Sequence, residues 1–251
     1  MKKEKLVANN QLVSFYHLPG RKETLVFLHG WRSEAKVWFH VTERLGEEGF
    51  DIYLIDLPGF GESPAPETPF GVRDYAETIA QFFNKAKIDK AILVGHSFGG
   101  RIAIKLSSIY PDLVDKLILC GAAGLIIQKK KIALMAQIAK IVKPIFKVKA
   151  LSPLRSKIYK MIGSEDYVMT PELKQTYVKI IKEDLRPDLA RITAPTLLIW
   201  GENDQETPLE YERIMENEIK DSKGIILEEA GHFAFLDKPN EFITSLNNFI
   251  K

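Results

Sequence analysis

Six short apolar runs recur along the chain, each closing on a small or polar residue: Thr24–His29, Asp51–Asp56, Ala91–His96, Lys116–Gly121, Thr196–Gly201 and Gly224–Glu229. Continuous apolar runs of this length suit strands buried on both faces, as in a parallel sheet. Ahead of them, Lys5–Ala8 and Leu12–His17 alternate roughly across Asn9-Asn10 and predict a hairpin. Between the runs the spacing becomes helical. Tyr75, Ile79, Phe82, Phe83 and Ala86 mark one face of Asp74–Lys87, and Gly99–Tyr110 is stopped by Pro111. Pro208–Ile219 and Pro239–Ile250 each open with proline, which is suited to the first turn of a helix. Strand and helix in alternation predict an α/β fold with a doubly wound, mostly parallel sheet.

One segment breaks the alternation. From about Gly124 to Pro187 the pattern is helical, with no clear strand. Ile132–Phe146 carries Leu134, Ile138, Ile141 and Ile145, with Pro144 placed to kink or end the helix. The expected organisation is therefore a core of residues 1–123 and 188–251, interrupted by a helical lid at 124–187. The lid is expected over the carboxyl ends of the strands, where ligands bind in open parallel sheets.

Composition narrows this picture only slightly. A chain of 251 residues, 45% hydrophobic and 27% charged, fits one soluble domain with an insertion. Its one cysteine, Cys120, makes no internal disulfide, and no Cys/His cluster has zinc-ligand spacing. At the end of a buried strand, Cys120 reads as a small core residue. Lys2, Lys3 and Lys5 are followed by Asn9 and Asn10 rather than by an apolar stretch, and no run is long enough to span a bilayer. The expected location is the cytoplasm. A net charge of +2 argues against nucleic acid as a partner. That balance hides a basic stretch at 129–160: Lys129, Lys130, Lys131, Lys140, Lys143, Lys147, Lys149, Arg155, Lys157 and Lys160, with no acid until Glu165. Lys140, Lys143 and Lys147 share a face opposite the apolar one. Two readings stay open: lysines in water on a lid whose apolar side meets the pocket, or a basic face for weak contact with an anionic membrane or for steering an anionic substrate.

The chemistry centres on one turn. Strand Ala91–Val94 runs into Gly95-His96-Ser97-Phe98-Gly99 and then a helix, which is G-x-S-x-G in its strand–turn–helix setting. The tight turn requires Gly95 and Gly99, lifts the Ser97 hydroxyl above the sheet, and sets the Phe98 amide at a helix N-terminus, where an oxyanion is stabilised. No Gly-Lys-Ser/Thr follows, so this is not a phosphate loop. A serine nucleophile needs a base. Of His17, His29, His40, His96 and His232, only His232 follows Ser97, as the chain order for such a turn demands. His96 adjoins the serine but should point away from it. The acid belongs in the loop after Thr196–Gly201. Asp204 is the choice there, with Glu202 and Glu206 as rivals, and its role would be to fix the His232 tautomer.

Five segments together resemble the α/β-hydrolase superfamily: His29-Gly30-Trp31, Asp56–Ser63, Gly95–Gly99, Gly201–Asp204 and Gly231-His232. The resemblance covers nearly the whole chain outside the insertion. It implies that the Trp31 amide joins that of Phe98 in an oxyanion hole, and that the Trp31 side chain borders the pocket. His29 would hold that loop or face the pocket, and Arg101 and Phe233 are further pocket candidates. Asp56–Ser63 reads as a structural loop. Members that cleave carbon–halogen bonds or epoxides carry aspartate at the elbow, so Ser97 argues against both. The implied activity is hydrolysis of an ester or thioester of a small, partly apolar substrate through an acyl-enzyme, with no metal or other cofactor. Three alternatives remain: a carbon–carbon bond hydrolase on the same triad, a slow-turnover ligand receptor, and a lyase. Gly99-Gly100-Arg101-Ile-Ala is similar to the elbow of a menaquinone-pathway synthase, where Arg101 would bind a substrate carboxylate rather than lie on the helix surface. Oligomeric state stays open.

Overall fold

A computed structural model describes residues 1–127 and 170–251. The chain opens with β1 (Lys2–Ala8) and β2 (Gln11–Leu18), paired antiparallel. Asn9 and Asn10 between them have φ of +49° and +56°. A two-residue hairpin turn of this hand needs both central residues left-handed, and asparagine tolerates that conformation best after glycine. The remaining strands are β3 (Thr24–Leu28), β4 (Asp51–Ile55), β5 (Ala91–His96), β6 (Val114–Cys120), β7 (Thr196–Gly201) and β8 (Ser222–Leu227). They form one sheet in the order β1-β2-β4-β3-β5-β6-β7-β8, parallel from β4 to β8.

The central strands are buried on both faces, as their apolar runs require. Their side chains alternate between two cores. Val26, Leu28, Leu93, Leu117, Leu119 and Trp200 face one side, with α2 (Val72–Ala86), α3 (Phe98–Ile109) and the Met215 face of α6 (Leu209–Glu218). Leu25, Phe27, Val94, Ile118, Cys120 and Ile199 face the other, with α1 (Phe39–Glu47) and α8 (Pro239–Ile250). A short α7 (Ala234–Asp237) precedes α8. Helix α1 was not anticipated. Only Val41, Thr42 and Leu45 of its nine residues are buried, too few to write a clear period into the sequence.

The order of strands creates the site. From β3 the chain moves outward to β4, then crosses back to β5 on the far side of β3. The loops after β3 and β5 therefore diverge, and the crevice between their carboxyl ends is where ligands bind in such sheets. The expected insertion leaves after β6. Its described return comprises α4 (Lys174–Lys182) and α5 (Arg186–Leu189), while Ile132–Phe146 and the basic stretch 129–160 lie outside the described residues. The Leu185 amide donates to the Gly124 carbonyl at 2.8 Å, so exit and return sit side by side. No helix among the described residues is long and apolar enough to cross a membrane.

Candidate active site

Ser97 stands at the junction of β5 and α3 with φ +50° and ψ −108°, a conformation that non-glycine residues rarely adopt. Three backbone hydrogen bonds hold it there. Its amide donates to the Cys120 carbonyl at 3.1 Å, and its own carbonyl accepts from the Arg101 and Ala123 amides at 3.2 and 3.1 Å. The turn also needs space: a Cβ built on Gly99 would stand 2.2 Å from the Leu28 carbonyl oxygen, and one on Gly95 2.6 Å from the Gly99 carbonyl oxygen. Helix α3 thus packs its first turn directly on the end of β3. Strain of this kind concentrates at functional positions and persists because its surroundings over-determine it.

The loop after β3 lies against this turn. A Cβ on Gly30 would come within 3.4 Å of Ser97 Cβ. The Trp31 ring packs edge-on to Phe98 at 5.1 Å and to Phe60 at 4.9 Å, with Tyr177 of α4 at 5.2 Å. Among the described residues, neither the Trp31 nor the Phe98 amide donates to another group.

His232 and Asp204 meet on the other side of the turn. His232 follows β8 and Asp204 follows β7, and His232 Nδ1 lies 2.8 Å from Asp204 Oδ2. The Asp204 side chain is fully buried. Its Oδ1 accepts from the Glu206 and Thr207 amides, each at 2.9 Å, and its Oδ2 accepts from Thr207 Oγ1 at 2.8 Å. Burial alone would raise the Asp204 pKa. The hydrogen bond and charge of His232, together with the Thr207 donors, instead hold it below the ordinary carboxylate value. An ionised acceptor at Nδ1 favours the proton on that nitrogen. Neither rival carboxylate meets Nδ1. Glu202 accepts from the Glu229 amide at 3.0 Å, and the exposed Glu206 reaches His232 Nε2, not Nδ1, at 3.3 Å.

Thr207 is the residue that sequence reasoning missed. Its hydroxyl lies within 3.0 Å of the Gly121 carbonyl and 3.4 Å of His232 Nδ1, and its carbonyl accepts from Trp200 Nε1 at 2.7 Å. A signal was present in the sequence: an aspartate whose carboxylate can take amides two and three residues on, just before Pro208, is a turn-forming pattern.

Two pocket candidates have other work. His29 is fully buried, with Nδ1–H donating to the Gly30 carbonyl at 2.7 Å and Nε2 accepting from the Leu57 amide at 3.0 Å. Burial lowers its pKa to about 4, so the ring is neutral. It presents no nitrogen to a pocket; it holds the loop that carries Trp31. Arg101 is neither on the helix surface nor free to clasp a carboxylate with its whole guanidinium. It is buried, and Nη1 donates to the Ile180 and Glu183 carbonyls at 2.8 and 3.0 Å, tying α3 to the end of α4. One turn on, Lys105 pairs with Glu183 at 3.0 Å and Asp188 at 2.6 Å. Phe233 is exposed, its ring 5.5 Å from that of His232. Among the described residues, no group of three or more His, Cys, Asp or Glu is placed to hold a metal ion.

Comparison with known proteins agrees with this architecture. The model of the Alpha/beta hydrolase family matches residues 25–245. The AB hydrolase superfamily protein YisY of Bacillus subtilis is 27% identical, over 91% of this chain and 93% of its own. The pimeloyl-[acyl-carrier protein] methyl ester esterase of Aliivibrio salmonicida is 26% identical, over 94% and 95% respectively. Among solved structures, an esterase from Exiguobacterium antarcticum superposes with a TM-score of 0.79 at 26% identity, covering 99% of both chains. The chain belongs to the alpha/beta hydrolase family.

Proposed function

We propose that the protein is a serine esterase acting through an acyl-enzyme on Ser97. The observation that carries this reading is the buried Asp204–His232 pair at the carboxyl edge of the sheet that also carries the strained Ser97 turn. Ser97 Oγ attacks the ester carbonyl while His232 Nε2 takes its proton, and Asp204 stabilises the resulting imidazolium. The Phe98 and Trp31 amides hold the oxyanion, helped by the N-terminus of α3. The alcohol leaves with the proton from His232, and water repeats the sequence to release the acid. The esterases among the relatives are said to act on esters, which favours this chemistry over others on the same fold.

The aromatic wall of Trp31, Phe60, Phe98 and Tyr177 suits a substrate with an apolar part. Assay of p-nitrophenyl esters of increasing acyl length at neutral pH tests the proposal. Turnover with a defined length optimum supports it. No turnover at any length, for ester or thioester, refutes it.

A further inference from the structure

The residue before the nucleophile is buried between the two halves of the site. His96 ends β5 on the same face as Ile92 and Val94, as strand alternation dictates, so its ring turns away from the Ser97 side chain. It is 1% exposed, 4.8 Å from Phe233, 5.0 Å from Phe235 and 6.3 Å from Trp38. Its Nε2 lies 3.0 Å from the backbone carbonyl oxygen of His232, and the two imidazole rings are 4.7 Å apart. A carbonyl only accepts, so Nε2 carries the proton and donates. The opposite nitrogen, Nδ1, is buried with no hydrogen-bond partner among the described residues, and a Cβ on Gly30 would stand 2.9 Å from it. An orphaned buried acceptor is rare and asks for a reason.

We infer that His96 is a positioning residue for the catalytic base: its Nε2–H clamps the His232 main chain while its ring braces Gly30, so that base and oxyanion loop keep one spacing about Ser97. The inference rests on the esterase reading above. His232 sits in the bend between β8 and α7, where no backbone amide among the described residues holds its carbonyl, and the His96 bond supplies that restraint. A purely apolar ring would fill the space but leave that carbonyl unclamped. The position also calls for a ring that stays neutral, because a second cation at this separation would oppose protonation of His232. Burial, and next the neighbouring His232, depress the His96 pKa to about 3.

The test compares wild type with His96→Phe, which keeps a ring without the donor, and His96→Gln, whose amide reproduces a donor near Nε2. A misplacement of the base should lower kcat by about 10²-fold in the Phe variant with KM changed less than about threefold. The rate of Ser97 labelling by a phosphonate should fall in parallel, and Gln should recover most of both. The low-field proton resonance of His232 Nδ1–H should broaden or shift in the Phe variant and return with Gln. A Phe variant with unchanged kcat and an unchanged resonance overturns the inference, as does a Gln variant as impaired as Phe. Should the variants misfold, ¹⁵N spectra of wild-type histidines decide: the inference requires His96 neutral, protonated on Nε2 and slow to exchange, and the Nδ1–H tautomer contradicts it. If wild type neither turns over nor labels, the esterase reading fails, and the resonance comparison still reports on the clamp.

Discussion

Thr207→Val isolates one atom of the acid–base pair. Valine matches threonine in shape, so the buried site keeps its packing and the backbone donor to Asp204 Oδ1 survives. What disappears is the hydroxyl that lies 2.8 Å from Asp204 Oδ2. A hydrogen bond to a charged group contributes about 1.5–3 kcal/mol. The Asp204 side chain is fully buried, so water does not replace the lost donor. In a chain of this size that loss corresponds to a fall in Tm of about 3–12 °C at neutral pH. The pH dependence supplies the sharper check. Asp204 has its pKa lowered in the folded protein, so its stabilisation is present above the unfolded-state value of about 4 and is lost as pH falls through the folded value. Removing the donor moves the folded value back up. The Tm difference between wild type and variant is therefore widest near neutrality and narrows as the pH drops below about 4. Thermal unfolding followed by circular dichroism across that range measures it directly. A Tm difference that stays constant with pH would refute the reasoning and assign the damage to packing. In the same variant a less firmly held imidazole should lower kcat by about tenfold, equivalent to about 1.4 kcal/mol.

Other substitutions test neighbouring parts of the account. Asp204→Asn should fold normally yet lose about 10⁴-fold in kcat, because an amide no longer enforces the Nδ1–H tautomer of His232; ester turnover with circular dichroism measures both. Gly99→Ala drives a Cβ to 2.2 Å from the Leu28 carbonyl oxygen, so it should destabilise by about 3 kcal/mol or more and abolish phosphonate labelling of whatever folds. Arg101→Met removes both bonds to the end of α4, so hydrogen exchange should accelerate around residues 170–189 while KM for a neutral ester stays within about threefold. A rise in KM confined to carboxylate-bearing substrates would instead restore Arg101 as an anion-binding residue.

The central strands were legible because burial on both faces writes a continuous apolar run, and β5 and β7 coincide with Ala91–His96 and Thr196–Gly201. Strand β8 begins two residues before its expected start. It is an edge strand with only Leu227 fully buried, and a half-exposed strand leaves no such run. Helix α1 was hidden for a similar reason. The elbow, His232 and the loop of Asp204 were readable from chain order. The sequence favours Asp204 over Glu202 and Glu206 within one short loop, and the fold of that loop brings the Asp204 carboxylate to Nδ1. Arg101 and His96 act through backbone carbonyls. Such partners lie far away in sequence and carry no spacing signature: Arg101 bonds to residues 180 and 183, and His96 to residue 232.

The central claim is that Ser97 is a nucleophile activated by His232. Incubating the wild-type protein with a fluorophosphonate and weighing it intact, with peptide mapping of the adduct, tests that claim without knowledge of the natural substrate. The account predicts one adduct per chain, located on Ser97, absent in Ser97→Ala and strongly slowed in His232→Ala. An unlabelled wild-type protein, or an adduct that persists in Ser97→Ala, would contradict it.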